Sequence, residues 1–506
     1  MFPTLSKLIS PLLLSLLMGS QMAGQGNAGS QIFLGLDTEV ESLLEDFHAA
    51  GLAIGVVEKG SLTYANAFGY RDVEQELPVD INTLFGIGSV TKAFTAATLG
   101  IMEERGMLSL SDRPQRYIQE LRFNNQEMDA AIKISHLLSH SSGVGSMTSE
   151  SSCILFLSED RNEVIPRIKH WAPAAQVGEA FMYSNFMYTL AGMVGERLSG
   201  KPWEENVSDL LLRPLEMDDT RVGYQSASIA KNFAQGYSVL QGQPQGVLPE
   251  TIMTRSPGGD IYSSITDMTK WLSLWLNGGK LGKQQFLPGK YHKEATSGQQ
   301  SMASAGLGEA ASPSYGYGWM ISDFHGLKRV EHSGAISGYS SNVVLFPEKQ
   351  VGIVVLSNQS NSSLPNLVTR LLIDRLLEID RDASDQPVTR YSQVQNIDPA
   401  DTKTTLNQQE RPTHDLEQFG GRYSHPGFGT IKISCENETL LASFPFTSFR
   451  LIHDAANRFS SAFTEEIPQI MGPWLTFSFQ VDQRDTVKAV VVNLGEDPVS
   501  FSREKE

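Results

Sequence analysis

Two cysteines, Cys153 and Cys435, are all the thiols this 506-residue chain contains. That excludes the disulfide-dense frameworks of small secreted domains, so a chain of this size must rely on a buried core. Neither cysteine has the neighbouring cysteine or histidine that a zinc site needs. They also fall in what read as different domains, which disfavours a bridge between them. Basic runs are missing too. Lys and Arg number 40 against 57 Asp and Glu, a formal net charge of −17 with pI near 5.1. Nucleic acid and anionic membrane surfaces would repel such a chain, so neither is expected as a partner. No G-x-S-x-G elbow occurs, which removes the α/β-hydrolase arrangement. No stretch beyond residue 18 is apolar enough to span a bilayer. With 40% hydrophobic and 19% charged residues, the composition has no general signature of disorder.

The amino terminus carries a three-part pattern. One positive charge lies in Met1–Lys7, a mostly apolar run follows over Leu8–Met18, and small residues stand at Gly19, Ser20, Ala23 and Gly24. This reads as a secretory signal peptide over residues 1–24, because the apolar run is about half the ~20 residues of a spanning helix. The expected protein is secreted, extracellular or, in a bacterium, periplasmic, with no integral membrane segment once the leader is removed. No cysteine near the cleavage region could carry a lipid anchor. Sequons at Asn206, Asn358, Asn361 and Asn437 matter only in a glycosylating host.

Patterning divides the remainder. Residues 35–380 have dense, mixed apolar periodicity, and residues 381–414 are rich in Asp, Ser, Gln, Pro and Thr without period, as in a linker. Residues 415–506 hold short β-rich runs such as "GTIKIS", "TLLASF" and "KAVVVN", as in a small antiparallel barrel or sandwich. The first domain opens with strands "LAIGVVEKG" and "LTYANAFGY" around a turn at Lys59-Gly60. Helices are expected over Ser89–Arg105, Phe186–Leu198, Ser264–Leu276 and Leu364–Leu377, and strands return late as "KRVEHSG", "SNVVLF" and "VGIVVLSN". Strands at both ends with helices between them imply an α/β fold whose sheet is assembled from distant parts of the chain.

Within "GIGSVTKAF", Ser89 and Lys92 lie one helical turn apart on the same face. A serine hydroxyl must give up its proton to a neighbour as it attacks, and a partly desolvated lysine can share that task. The helix N-terminus adds a field that favours negative charge on the serine oxygen. Gly86 and Gly88 would let a substrate backbone approach closely. Spacing alone does not decide the matter, because the chain has two further S-x-x-K matches, Ser228–Lys231 and Ser502–Lys505. An ordinary helix cap followed by a surface lysine is the competing reading. Two more stretches add weight. "FMYSNF" places Tyr183 and Asn185 on a loop before a helix, where a phenol and an amide could share a pocket. "EHSGAISGYS" places His332, Ser333 and Gly334 at the end of a strand, where a backbone N–H could meet a substrate carbonyl. His136 and His140 in "HLLSH" lack the glutamate of the H-E-x-x-H motif, so structural roles are expected for them.

In the order S-x-x-K, Y-x-N, H-x-G, the chain resembles the serine β-lactamase and penicillin-binding-protein superfamily, in its class C β-lactamase-related branch. "FGIGSVTKAFTA", "ISHLLSHSSGV", "FMYSNFMYTLAGMVGERLSGKPWEE", "SPGGDIYSSITDMTKWL" and "YGYGWMI…HSGAISGYSSNVVLFPEKQVGIVVLSN" follow the family's order across roughly Glu39–Leu377. The C-terminal part is similar to the small lipocalin-like β-barrel appended to some members. The resemblance implies an antiparallel sheet flanked by helices, a helical half beside it, and a pocket between the two. It implies Ser89 as acylated nucleophile, Lys92 as its proton partner and Tyr183 as second base. Asn185 would orient Lys92 and bind substrate, His332-Ser333-Gly334 would form the third motif, and the N–H groups of Ser89 and Ala335 would form the oxyanion hole.

Histidine stands where many members carry lysine. Being mostly neutral above its reference pKa of ~6.5, it weakens the expected anchor for a substrate carboxylate. The expected activity is hydrolysis of small esters, amides or short peptides through an acyl-enzyme on Ser89, with no metal or organic cofactor. Two alternatives stay open: a catalytically weak or inactive relative that binds or scaffolds, and a carrier or cleft-capping role for the C-terminal barrel.

Overall fold

The computed structural model describes residues 29–144, 160–247, 257–302, 311–378, 411–445, 448–462, 475–493 and 498–505. The leader expected over residues 1–24, Cys153 and residues 381–410 of the expected linker lie outside these ranges.

One nine-stranded antiparallel sheet organises the first domain. Its spatial order is Gln300–Ser301, Ala311–Tyr315, Met320–Phe324, Leu327–Ile336 (β3), Tyr339–Phe346 (β4), Val351–Ser357 (β5), Gly51–Glu58 (β1), Ser61–Asp72 (β2) and Leu77–Pro78. The first strand therefore lies beside one of the last, from Leu52 opposite Ser357 to Glu58 opposite Val351. Strands buried on both faces read as unbroken apolar runs, and "LAIGVV" and "VGIVVL" are of that kind.

Alternation assigns the two faces. Leu52, Ile54, Val56, Ile353 and Val355 pack with Leu36 and Val40 of helix α1 (Leu36–Asp46) and with Leu364, Val368 and Leu372 of helix α5 (Leu364–Leu376). Ala53, Val57, Val354 and Leu356 pack on the opposite face, where helix α4 (Ile265–Leu276) contributes Ile265, Met268 and Leu272. Space is tight at Gly55: a Cβ there would lie 2.8 Å from Cγ2 of Ile265 and 2.9 Å from Cγ2 of Thr269. Ser264 starts α4 by accepting the N–H of Asp267.

Beyond α4 lies the helical half, built on α2 (Thr91–Glu104) and α3 (Asn185–Ser199). Every residue of α2 from Thr91 to Met102 is buried, as expected of a helix enclosed by protein on all sides. The ring of Phe94 stacks on Trp271 of α4 at 3.9 Å, which joins the helical half to the sheet. Two expected boundaries move. The Ser89 segment is a 3₁₀ turn, Gly88–Val90, before α2 begins. β3 continues past Gly334 to Ile336, because Ala335 and Ile336 pair with Ser340 and Tyr339.

Eight strands from Gly421–His425 to Pro498–Arg503 close into a barrel, so the small C-terminal domain is a barrel and not a sandwich. Its interior is filled by side chains, among them Phe419, Tyr423, Phe459, Phe477 and Phe479. The Phe419 and Phe479 rings are 4.8 Å apart. Among the sequons, Asn206 and Asn358 are buried, whereas Asn361 and Asn437 are exposed. No helix among the described residues is long and apolar enough to cross a membrane.

Candidate active site

Ser89 does not cap a helix: no side chain caps the start of α2 or of the turn before it. Its Oγ instead receives two hydrogen bonds, from Lys92 Nζ at 2.9 Å and from the Tyr183 hydroxyl at 2.7 Å. The same nitrogen donates to Asn185 Oδ1 at 2.6 Å and to the Gly258 carbonyl at 2.9 Å. Lys92 is fully buried, where a charge is costly unless hydrogen bonds satisfy it. It also sits over the rings of Tyr183 and Tyr188, 4.7 and 5.5 Å from their centroids. Hydroxyl, amine, phenol and amide thus converge from two helices and one loop.

Polar residues of α2 hold the segment that supplies the Gly258 carbonyl. Thr95 donates to the Pro257 carbonyl at 2.6 Å and receives the Trp203 indole N–H at 2.9 Å. Thr91 accepts the N–H of Ile261. Neither threonine carries a signal in the sequence beyond its helical position.

β3 approaches from the sheet side. A Cβ on Gly334 would fall 2.0 Å from the Ile87 carbonyl, and one on Gly88 would fall 2.6 Å from the Ala335 nitrogen. Gly88 has φ of +50°, and Ser341 Oγ donates to the Ile87 carbonyl at 2.9 Å. A Cβ on Gly86 would lie 2.5 Å from Ile336 Cδ1. Contrary to expectation, then, Gly86 and Gly88 make room for the protein's own strands, not for substrate backbone. Their effect is to press the Ser89 turn against Gly334 and Ala335.

His332 and Ser333 diverge, as alternation along a strand requires: His332 is buried and Ser333 is exposed. Nδ1 of His332 donates to the Ser333 carbonyl at 2.6 Å, which leaves Nε2 to accept the Tyr315 hydroxyl at 2.9 Å. Burial, with Lys92 nearby, depresses His332 to about 3, partly offset by the bond to Ser333. His140 is held well below the usual imidazole range by burial first, then by Lys92 and His332. Its Nδ1 accepts the N–H of Ser184 at 3.1 Å, and its ring lies 4.2 Å from that of Tyr183.

Tyr315 and Gly258 adjoin the site though sequence reasoning did not single them out, and His140, expected to be structural, lies beside Tyr183 there. His140 was visible in "HLLSH" and Tyr315 in "YGYGW", but nothing local tells that His140 lies near Lys92 or that Tyr315 bonds His332. The competing motifs separate cleanly. Ser228–Lys231 follows a short surface helix with Ile229 84% exposed, and Ser502 lies on the last barrel strand. His136 accepts the N–H of Lys133 at the start of its own helix. Among the described residues, no group of three or more His, Cys, Asp or Glu is placed to hold a metal ion.

A sheet beside a helical half, with serine, lysine and tyrosine at their junction, defines a class, and comparison with known proteins agrees. Residues 36–378 match the β-lactamase family, and the chain belongs to it. Residues 406–503 match a domain of unknown function, DUF3471. The chain is similar to "Protein flp" of Staphylococcus aureus strain MW2, 28% identical over 339 residues, 66% of this chain and 65% of that protein. It therefore spans slightly less than two thirds of that relative's length. A β-lactamase of Pseudomonas fluorescens is 26% identical over 360 residues, 64% of this chain and 93% of that one. A solved structure described as the octameric penicillin-binding protein homologue from Pyrococcus abyssi aligns with a TM-score of 0.59 at 22% identity. It covers 92% of this chain and 99% of that one, a likeness of fold across both domains.

Proposed function

We propose that this protein is a secreted serine hydrolase that cleaves small esters, amides or short peptides through an acyl-enzyme on Ser89. The observation that carries the reading is the pair of hydrogen bonds meeting at one oxygen: Lys92 and Tyr183 both reach Ser89 Oγ. Attack needs one member of the Lys92–Tyr183 pair to have given up its own proton first; Oγ then bonds to the substrate carbonyl carbon as the serine proton passes to that member. The carbonyl oxygen gains negative charge, which the N–H groups of Ser89 and Ala335 would stabilise. Collapse breaks the bond to the leaving group, which takes the proton back. Water then attacks the acyl carbon, releasing the acid and restoring Ser89. Asn185 holds Lys92 throughout.

A neutral His332 offers no fixed positive charge to a substrate carboxylate, which favours neutral acyl donors over β-lactams. Intact mass after incubation with a fluorophosphonate tests the proposal. Native protein should gain one adduct, and Ser89→Ala should gain none. A native protein inert to fluorophosphonates and penicillins alike would favour a binding or scaffolding relative instead.

A further inference from the structure

The barrel is tied to the hydrolase domain at one specific place. Between its strands Gly421–His425 and Gly429–Glu436 runs a three-residue loop, Pro426-Gly427-Phe428. A phenylalanine at a hairpin tip is normally left in solvent, yet Phe428 is only 5% exposed. Its ring stacks on that of Trp171 at 6.4 Å. The Trp171 indole N–H donates to the Gly427 carbonyl at 2.9 Å in a buried contact. A Cβ on Gly427 would lie 3.1 Å from both His170 Cβ and Trp171 Cδ1, so the surfaces close fully only without a side chain there.

Trp171 leads towards the site in two ways. Its ring lies 4.8 Å from that of Phe186, the residue after Asn185. It also begins the segment that ends at Tyr183, which is pinned along its length to the loop carrying His140. Ala174 donates to the Gly143 carbonyl at 3.0 Å, Gly178 to Ser141 at 2.8 Å and Met182 to His140 at 2.7 Å. One end of this pinned segment carries the phenol of the site, and the other is held by the barrel.

We infer that the C-terminal barrel is a structural part of the active site, its Gly427-Phe428 loop fixing Trp171 as a positioning residue for Tyr183 and Asn185. The inference rests on the serine-hydrolase reading above. Without the loop, the Trp171 N–H loses its acceptor and one face of the indole loses its cover. The wall behind Phe186 is then free to shift, and a displacement of about 1 Å at reacting groups costs on the order of 100-fold in rate.

The test uses the full-length protein. Phe428→Ala on the barrel side, and Trp171→Ala and Trp171→Phe on the other, are compared by fluorophosphonate labelling rate and by kcat and KM on a neutral ester. Phe428→Ala and Trp171→Ala should each lower labelling and kcat by about tenfold with little change in KM, because positioning of reacting groups and not substrate binding is disturbed. Trp171→Phe, which keeps a ring against Phe186, should recover most of the loss. Gly427→Ala adds a single methyl at the same contact and serves if Phe428→Ala fails to fold. Parent-like labelling and kcat in Phe428→Ala or Gly427→Ala together with Trp171→Ala would overturn the inference alone. A parent that is never labelled on Ser89 would overturn the hydrolase reading and the inference with it.

Discussion

The phenol of Tyr315 donates to Nε2 of His332 across 2.9 Å, and with Nδ1 bound to the Ser333 carbonyl both ring nitrogens are engaged. His332 is thereby a fixed, neutral member of the wall beside Lys92 and not a cation reaching for substrate. Tyr315→Phe removes the donor and strands a buried acceptor, a change that costs about 1–3 kcal/mol. The expected result is a lower urea midpoint at unchanged m-value. An unshifted midpoint would show that the ring is held by other means. The same neutrality predicts a higher kcat/KM on uncharged esters than on nitrocefin, which carries a carboxylate.

Burial of two neutral imidazoles ties stability to pH. His332 titrates near 3 and His140 well below the usual imidazole range, whereas both would take up protons near 6.5 once unfolded. Between those values the unfolded chain binds more protons, so stability rises with pH. This contribution is complete above about pH 6.5 and is lost progressively as pH falls towards 3. Melting temperature measured from pH 4 to 8 should decline on the acid side. His140→Gln should flatten that slope by up to one proton. A slope unchanged in the variant would contradict the assignment of His140 as buried and neutral.

What the sequence made legible and what it hid have different physical origins. The strands flanking Lys59-Gly60, the helix after Asn185 and the late strands "SNVVLF" and "VGIVVLSN" rest on local periodicity and turn chemistry, and they stand within a residue or two of expectation. Ser89, Lys92, Tyr183 and Asn185 could be singled out as candidates because their spacing is local and their order matches the family. That Lys92 and Tyr183 meet at the Ser89 oxygen, with Asn185 held on Lys92, is a property of tertiary packing. His140, Tyr315 and Gly258 were hidden because each reaches the site from a separate segment, and no periodicity connects residues 92, 140, 258 and 315. The role of Gly88 was misread for the same reason, since its neighbour in space is residue 335.

Tyr183 and Asn185 should fail in different ways. Tyr183 contacts Ser89 Oγ, and if it takes part in proton transfer as proposed, Tyr183→Phe should cost about 10²–10⁴ in rate. Asn185 acts through Lys92, to which it offers an acceptor at 2.6 Å. Asn185→Asp retains an acceptor at that position and should keep more labelling activity than Asn185→Ala. Pre-steady-state labelling of the three variants checks the ranking. Equal rates for Tyr183→Phe and the parent would remove the phenol from the mechanism.

Gly88 bears on the approach of the serine turn to β3. Its φ of +50° is one that side-chain-bearing residues adopt reluctantly, and a Cβ would stand 2.6 Å from the Ala335 nitrogen and 3.0 Å from the Gly334 carbonyl carbon. Those neighbours are backbone held in register by Ser340 and Ser341, so they cannot swing aside as a flexible side chain would. Gly88→Ala must therefore push the turn away from the strand, separating the N–H of Ser89 from that of Ala335. On the proposed oxyanion role of these two N–H groups, loss of one donor costs about 10²–10³ in rate, and labelling of Gly88→Ala should fall by that order. The fold rests on the two large cores and should survive, with a cooperative melt and the circular dichroism of the parent. Parent-like labelling in Gly88→Ala would mean that the two N–H groups do not act on one oxygen.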